Sequence, residues 1–401
     1  MSLATTPPNQ ITLTPFLLVL MAVATGLAVA SNYYVQPLLH TLMQAFGLSN
    51  AVAGWLVTTA QLGYALGLLL LVPLGDLFDR RKLIVSMNLL TIAGLLTIAF
   101  SPNASWLFTG AVLTGLCSIS AQILVPFAAT LAPEAQRGRV VGVLMSGLLL
   151  GILLARTVAG ALASLGDWRL VYWCAAVAML LVTFALFYRL PSESSKPSVR
   201  YRQLIQSVFM LFQQERLLRL RALLGAMAFA CFSILWTALA FLLSSPPYQY
   251  GEGLIGLFGL LGVAGVMAAN LAGRLTDHGR NDLSTSLFLI ALLISWLALY
   301  FASSSLIALV IGILLLDLAV QGVHISNQSI LYSIRPESRS RMTSAYMTSY
   351  FGGGAVGSLA CGWVYQHSGW HGVVGLGAGF ALVGLLIWLL TLRQQQAAGH
   401  S

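Results

Sequence analysis

Twelve long apolar runs follow one another along the chain, and each is long enough to cross a lipid bilayer. A helix needs about 20 apolar residues to cross the roughly 30 Å hydrocarbon core of a membrane. The runs cover residues 15–36, 51–72, 83–100, 105–131, 140–164, 168–188, 220–243, 253–272, 284–302, 305–332, 342–366 and 370–392. They are continuously apolar and do not alternate, which excludes a transmembrane β-barrel. Only 8% of the 401 residues are charged, far below the roughly 25% usual in soluble domains. The sequence therefore predicts an all-α, polytopic membrane protein with twelve transmembrane helices.

The basic residues are distributed very unevenly between the loops. Eighteen of the 20 Lys and Arg residues fall in alternate loops or in the C-terminal tail, whereas Arg169 lies on the opposite side and Arg156 lies inside a run. Because loops rich in Lys and Arg stay in the cytoplasm, both termini are predicted to be cytoplasmic. The net charge of +9 then reflects topology and attraction to anionic lipid, and we expect no nucleic-acid partner.

One long polar stretch, residues 189–219, separates six runs from the next six. Its second half, residues 201–220, mixes apolar and basic side chains in a way typical of an amphipathic helix on the cytoplasmic leaflet. Loop landmarks of the first part recur in the same order in the second: Asp76 corresponds to Asp277, Arg139 to Arg341 and Trp168 to Trp370. The sequence thus predicts an N-terminal half (1–188), a linker (189–219) and a C-terminal half (220–401), the halves being parallel and pseudo-symmetric.

Twelve helices, a duplicated six-helix half and a basic central loop resemble the major facilitator superfamily of transporters. The loop after the second run matches that family's loop signature through Asp76, Arg80 and Arg81, although Val72 and Asp79 stand where the signature usually has Gly. The loop after the eighth run matches as a second copy, through Arg274, Asp277 and Arg280. The segment 32–39 is similar to a bacterial branch of drug- and arabinose-efflux-like, or YgaY-like, permeases.

The resemblance implies a monomeric transporter of the bacterial inner membrane that rocks its two halves about a central site near the bilayer midplane. It also implies that the acids and arginines of the two signature loops (Asp76, Arg80, Arg81, Arg274, Asp277 and Arg280) latch the halves together on the cytoplasmic side. The alternative is that these loops only follow the rule that positive charge stays inside.

A single acidic residue, Asp317, lies at membrane depth. Gln321, His324 and Gln328 follow it at helical spacing and Asn327 flanks them, so the set shares one helix face. An ionisable side chain in the bilayer is costly and usually functional, and a carboxyl and an imidazole can both exchange protons. Asp317 and His324 are therefore candidates for proton coupling, unless the face only packs against another helix.

Arg156 is the one basic residue that lies far from both ends of a run. We consider two functional hypotheses for it: it pairs with Asp317, or it binds an anionic group of the substrate. The alternative is a structural arginine that bonds to backbone carbonyls. The Gly-Pro pair that many antiporters of the superfamily carry in this helix is replaced by Arg156 and Thr157, so the direction of transport stays open.

Other polar and aromatic residues in the runs are candidates for lining the substrate cavity. The set is Asn32, Tyr33, Gln36, Gln61, Gln122, Trp236, Gln321, Asn327, Gln328, Tyr346 and Tyr350. Trp and Tyr also anchor helices at the membrane interface, so the aromatic members have a structural alternative. The four Cys residues stand singly without metal-ligand spacing, and we expect neither a metal nor a cofactor.

These observations favour a proton-coupled secondary transporter that exports a small, partly hydrophobic compound. Proton-coupled uptake of a small organic anion held by Arg156 is the first alternative. A membrane enzyme or a non-transporting sensor is a remote alternative, because no motif for intramembrane catalysis or nucleotide binding falls in the sequence. We therefore expect the chain not to be an enzyme.

Overall fold

The computed structural model describes residues 13–192, 200–265, 267, 271, 275, 280–334 and 339–399, and within these ranges all regular secondary structure is helical. The α-helices are α1 (Pro15–Ala30), α2 (Val35–Phe46), α3 (Asn50–Leu70), α4 (Arg80–Ala99), α5 (Ala104–Cys117), α6 (Ser120–Leu131), α7 (Arg137–Ala163), α8 (Arg169–Arg189), α9 (Tyr201–Gln214), α10 (Arg216–Ser244), α11 (Glu252–Leu257), α12 (Asn281–Tyr300), α13 (Leu306–Ile334) and α14 (Arg339–Gly399). Short 3-10 helices include Val72–Asp76 after α3 and Phe258–Gly262 after α11.

Ten stretches of these helices are apolar and long enough to cross a bilayer. The last, Arg341–Gln394, has 54 residues, or about 80 Å at 1.5 Å per residue, so it accounts for two crossings. It folds back at Gly369, where φ is 60° and ψ is −156°, a conformation that suits glycine. The predicted run 253–272 is described mainly over Glu252–Gly265. The prediction of an all-α, polytopic membrane fold is confirmed.

The first and fourth predicted runs are each broken inside the membrane. The first divides between α1 and α2 at residues 31–34, and the fourth divides between α5 and α6 at residues 118–119. Pro37 lies in the first turn of α2, where proline is tolerated, but its ring would clash with the carbonyl four residues earlier in a continuous helix. The two breaks meet, because Asn32 Nδ2 donates to Ser118 Oγ across 2.8 Å.

The arginine-rich loops lie at one end of the molecule, which we call the basic face. Arg80 at the start of α4 donates to Thr130 at the end of α6 across 3.3 Å, and Tyr201 at the start of α9 donates to the Leu70 carbonyl of α3 across 2.8 Å. The helix predicted in residues 201–220 is present as α9, but α10 already begins at Arg216. The domain boundaries stay a prediction, and residues 193–199 of the linker lie outside the described ranges.

Two pairs of helices connect the part of the chain before residue 190 to the part after residue 215. Along the first pair, α3 and α14, Thr58 Oγ1 and Ser358 Oγ lie 2.9 Å apart and Ser344 Oγ donates to the Leu68 carbonyl across 2.9 Å. In the second pair, α7 and α11, Thr157 Oγ1 donates to the Gly256 carbonyl across 3.0 Å. Several functional candidates lie on these helices: Gln61 on α3, Arg156 on α7, and Tyr346 and Tyr350 on α14.

Candidate functional site

Arg156 lies on α7 near the centre of the bundle and is only 2% exposed. Its Nε donates to Gln36 Oε1 of α2 across 2.6 Å. Three aromatic rings surround the guanidinium: its carbon is 3.9 Å from the ring centroid of Trp236, 4.9 Å from that of Tyr33 and 5.2 Å from that of Phe232. Such cation–π contacts offset part of the cost of burying the charge.

Asp317 lies on α13 and is 4% exposed. Its Oδ1 accepts a hydrogen bond of 3.2 Å from Trp236 Nε1, so the indole that lies against Arg156 also binds the carboxylate. The two charges attract each other. Arg156 and Asp317, however, form no ion pair with each other, unlike Arg169 with Asp167 and Arg221 with Asp282. The direct pairing of Arg156 with Asp317 that one hypothesis required is therefore not formed, and Trp236 joins the two residues instead.

Stacked aromatic side chains continue from Trp236 and Phe232. The ring of Phe229 stacks on Phe232 with centroids 5.2 Å apart, and it also stacks on Tyr350 with centroids 4.2 Å apart. Phe351 packs against Phe229 at 4.9 Å. The charged pair thus borders a continuous aromatic surface contributed by α10 and α14.

His324 lies on the same helix as Asp317, two turns towards the basic face, and it has different partners. Its Nδ1 is hydrogen-bonded to Tyr346 Oη across 3.0 Å, and its ring lies 4.7 Å from that of Tyr350. His324, Gln321 and Gln328 are half-buried, whereas Asp317 is buried. Along the predicted polar face of α13, Asp317 is therefore more buried than the polar residues that follow it towards the basic face.

Asn327 is fully buried and binds a second buried arginine. Its Nδ2 donates to the Arg221 carbonyl across 3.1 Å, and its Oδ1 lies 3.4 Å from Arg221 Nη1. Arg221 also donates to Thr285 Oγ1 across 2.8 Å, and its guanidinium carbon lies 4.6 Å from the ring centroid of Trp388. That Asn327 lines the substrate cavity stays a prediction.

Arg221 is a residue that the sequence argument misplaced. It is 2% exposed, so the expectation that Arg156 is the one buried base was wrong. Arg216 and Arg219 precede it, and the three arginines together resemble one loop cluster. The signal that was missed is the unbroken helical register from Arg216 into the apolar run.

The remaining cavity candidates are largely engaged with other side chains. Gln61 Nε2 donates to Ser233 Oγ across 2.9 Å, which joins α3 to α10. Gln122 Nε2 donates to Tyr64 Oη across 3.4 Å. Gln61 is buried, whereas Gln122 is half-buried. Gln61 therefore connects helices across the centre, and Gln122 stays a candidate for the cavity.

The predicted latch is only partly described. The carboxylate that caps α4 belongs to Asp79, which accepts from the backbone amides of Arg81 and Lys82 at 2.9 and 3.3 Å. The Arg80 guanidinium lies over the ring of Phe127 at 5.6 Å, and that of Arg81 over the ring of Phe187 at 4.8 Å. Arg280 is exposed, and Arg274 and Asp277 lie outside the described residues.

The family assignment is supported over almost the whole sequence. A sequence model of the Major Facilitator Superfamily matches residues 21–292 and 283–400. The chain is 57% identical over 393 residues to "Uncharacterized transporter YgaY" of Escherichia coli O157:H7, with 98% of this chain and 100% of that protein covered. It is 31% identical over 370 residues to "Probable transporter SCO4007" of Streptomyces coelicolor, with 91% of this chain and 85% of that protein covered.

A solved structure has the same fold. It is the structure of a bacterial homolog to human lysosomal transporter Spinster in an inward-facing and occupied conformation, with a TM-score of 0.77 over 94% of this chain and 96% of that chain. At 14% identity the similarity concerns the fold alone. The predicted resemblance to the superfamily and to its YgaY-like branch is confirmed. This chain belongs to the major facilitator superfamily, and it is a membrane transporter and not an enzyme.

Proposed function

We propose that this chain is a proton-coupled secondary transporter that exports a small, partly hydrophobic compound by rocker-switch alternating access. The observation that carries the proposal is the hydrogen bond between Trp236 and the buried carboxyl of Asp317, beside the Arg156 guanidinium. A carboxyl at membrane depth is energetically costly, and such residues are therefore usually functional. Here it lies between helices before residue 190 and helices after residue 215, at the place where a rocking motion changes access.

The aromatic surface of Phe229, Phe232 and Tyr350 supports a substrate with an apolar part. Pockets for small molecules are mostly apolar with a few polar groups that fix orientation. Asp317, His324 and Arg156 supply such groups here. Export as the direction is supported by the resemblance of residues 32–39 to efflux-like permeases.

Alternating access is supported by contacts at the end opposite the basic face. Thr41 of α2 donates to Glu252 of α11, and the Ala51 amide of α3 donates to Gln366 Oε1 of α14 across 3.2 Å. These contacts join early to late helices at that end, while Gln321, His324 and Gln328, which lie towards the basic face, are half-buried. We propose that the opposite conformation breaks them, and that the signature loops around Asp76 then latch the basic face.

Uptake of a small organic anion is the second candidate, and one specific observation favours it. Nη2 of Arg156 is buried and has no hydrogen-bond partner. A buried guanidinium nitrogen without a partner suits an anionic group that arrives with the substrate. The two candidates share the site and the proton coupling and differ in direction.

We further propose that the protein works as a monomer in a bacterial inner membrane with both termini in the cytoplasm. The site is built by one chain, and the basic residues lie in alternate loops. A green fluorescent protein fused to the C-terminus is expected to fluoresce, because it folds in the cytoplasm; a dark, exported fusion would contradict this orientation.

Flux in everted membrane vesicles with and without an imposed pH gradient tests the proposed coupling and direction. Export in the cell corresponds to proton-driven accumulation in everted vesicles, and uptake corresponds to proton-driven accumulation in right-side-out vesicles. Flux of every transported compound that ignores the pH gradient in both preparations would overturn proton coupling.

A further inference from the structure

We infer that the transported compound is a small monocarboxylate with an aromatic or otherwise apolar body, and that its carboxylate binds Nη2 of Arg156 and Nε2 of Gln36 while Asp317 takes up one proton. The inference rests on the proposed proton-coupled transport and names the substrate class of that same site.

Two unused donors lie next to each other on Arg156 and Gln36. The bond from Arg156 Nε to Gln36 Oε1, 2.6 Å long, holds the two side chains together. Nη2, on the same edge of the guanidinium as Nε, and Gln36 Nε2 are both buried without a hydrogen-bond partner. Both atoms can only donate, so the group that satisfies them must accept.

A carboxylate fits this pair of donors better than other small acceptors. It offers two oxygens in one plane, which match neighbouring N–H groups, and its charge strengthens both bonds. Each side chain is only 2% exposed, so water competes poorly for the donors. We call Arg156 Nη2 and Gln36 Nε2 the carboxylate fork.

The side chains beside the carboxylate fork indicate the chemical character of the rest of the compound. Phe232 lies against the Arg156 guanidinium and stacks on Phe229, which stacks in turn on Tyr350. A chain of aromatic faces therefore leads away from the fork. An apolar or aromatic body attached to the carboxylate would pack against these faces and gain from burial.

Charge balance at the site links the carboxylate to a proton. Within the described part of the chain, the charged and titratable groups that interact electrostatically with Asp317 are Arg156 from α7, Tyr33 from the break between α1 and α2, and Tyr350 from α14. In the empty site the positive charge of Arg156 balances the negative charge of Asp317. A bound carboxylate adds a second negative charge, and an unbalanced charge in a dry site is costly.

One proton on the Asp317 carboxylate restores neutrality when the carboxylate is bound. The proton enters from the same side as the compound and leaves with it, and no covalent bond of the substrate changes. When the loaded transporter changes conformation, one carboxylate and one proton cross the membrane together and no net charge moves. Because proton and substrate move together, this inference specifies the second candidate function, uptake of a small organic anion, and not export.

Ligand binding to the purified full-length protein in detergent tests the carboxylate fork. The probes are benzoate, phenylacetate and 3-phenylpropanoate, each compared with its amide and with the amine of the same skeleton by thermal stabilisation. At least one carboxylate is expected to raise the Tm, while its amide and amine do not. Stabilisation by the amides or amines alone, or by none of the nine compounds, would overturn the inference.

Substitutions in α2 separate the carboxylate fork from a general effect on folding. Gln36→Leu removes a donor and Gln36→Glu places a competing carboxylate on Arg156, so both are expected to weaken carboxylate binding roughly tenfold or more. Gln44→Glu is the matched control, because Gln44 lies on the same helix but is exposed and bonded to His40. Equal affinities of the two Gln36 variants and the wild type would place the carboxylate elsewhere.

Proteoliposomes distinguish failure of this inference from failure of the proposed function. A carboxylate that enters is expected to acidify the lumen without an electric current. Carboxylate entry that carries a net current would overturn the pairing of one carboxylate with one proton. Proton flux driven by amines or amides but not by carboxylates would overturn the substrate class and leave proton coupling intact, whereas carboxylate flux without proton movement would overturn proton coupling itself.

Discussion

The indole nitrogen of Trp236 donates a hydrogen bond to Asp317 Oδ1 across 3.2 Å. The same ring lies 3.9 Å from the guanidinium carbon of Arg156, so one side chain contacts both buried charges of the central site. Since the two charges do not form a direct ion pair, a change in the protonation of Asp317 reaches Arg156 partly through the position of this indole. Trp236 is therefore a positioning residue for both.

Trp236→Phe separates the two roles of this side chain. Phenylalanine keeps an aromatic face for Arg156 but cannot donate to Asp317, and a hydrogen bond to a charged group is worth about tenfold or more in an equilibrium constant. We expect pH-driven flux to fall by about that factor, and we expect a lower Tm as well, because Trp236 is buried and the smaller ring leaves space. Trp363→Phe, at an exposed position, is the control. Wild-type flux in Trp236→Phe would show that the hydrogen bond is dispensable.

Gly54→Ala tests the close contact between α3 and α14. A Cβ at Gly54 would lie 2.9 Å from the Ser358 carbonyl oxygen and 3.0 Å from Gly362 Cα, and these backbone atoms cannot move aside cheaply. Overpacking of this kind costs about 1–3 kcal/mol, so we expect a lower Tm and slower transport. Gly142→Ala is the matched control, because nothing lies within 4 Å of a Cβ there. Equal Tm values for Gly54→Ala and Gly142→Ala would show that the contact between α3 and α14 is not tight.

Arg221→Met tests whether the second buried arginine is structural. The variant loses the hydrogen bonds to Thr285 and Asn327 and the contact with Trp388, and we expect it to lose about 2 kcal/mol or more of stability. Its partner Asp282 is 60% exposed, so the carboxylate left behind stays hydrated. Thermal melting is the measurement, with the exposed Arg139→Met as control. A large change in the pH dependence of transport at unchanged Tm would instead assign Arg221 to the mechanism.

The sequence was sufficient to predict the membrane fold and its family because both depend on local patterns. The length of an apolar run predicts whether it crosses the membrane, and the repeated signature loops can be recognised in the sequence itself. Asp317 was identified in the same way, since it is the one acid that falls inside a run. Its place beside Arg156 could be only one hypothesis among several, because α7, α10 and α13 come together through tertiary packing.

Three features depended on packing and could not be obtained from run boundaries. Asn327 shares a helix face with Asp317 in the pattern, but it also binds a partner on another helix, Arg221. The breaks at residues 31–34 and 118–119 interrupt runs that look continuous. Gln36 was a candidate for the cavity, but its bond to Arg156 depends on how α2 approaches α7.

Asp317→Asn in proteoliposomes tests the proton-carrying role of the central carboxyl most directly. The amide oxygen can still accept from Trp236 Nε1, but the side chain can no longer take up and release a proton. We expect flux driven by a pH gradient to fall to the level measured without a gradient, at a Tm close to that of the wild type. Asp167→Asn, at an exposed aspartate, should keep its pH dependence. Flux in Asp317→Asn that follows the pH gradient as the wild type does would contradict the role of Asp317 in coupling.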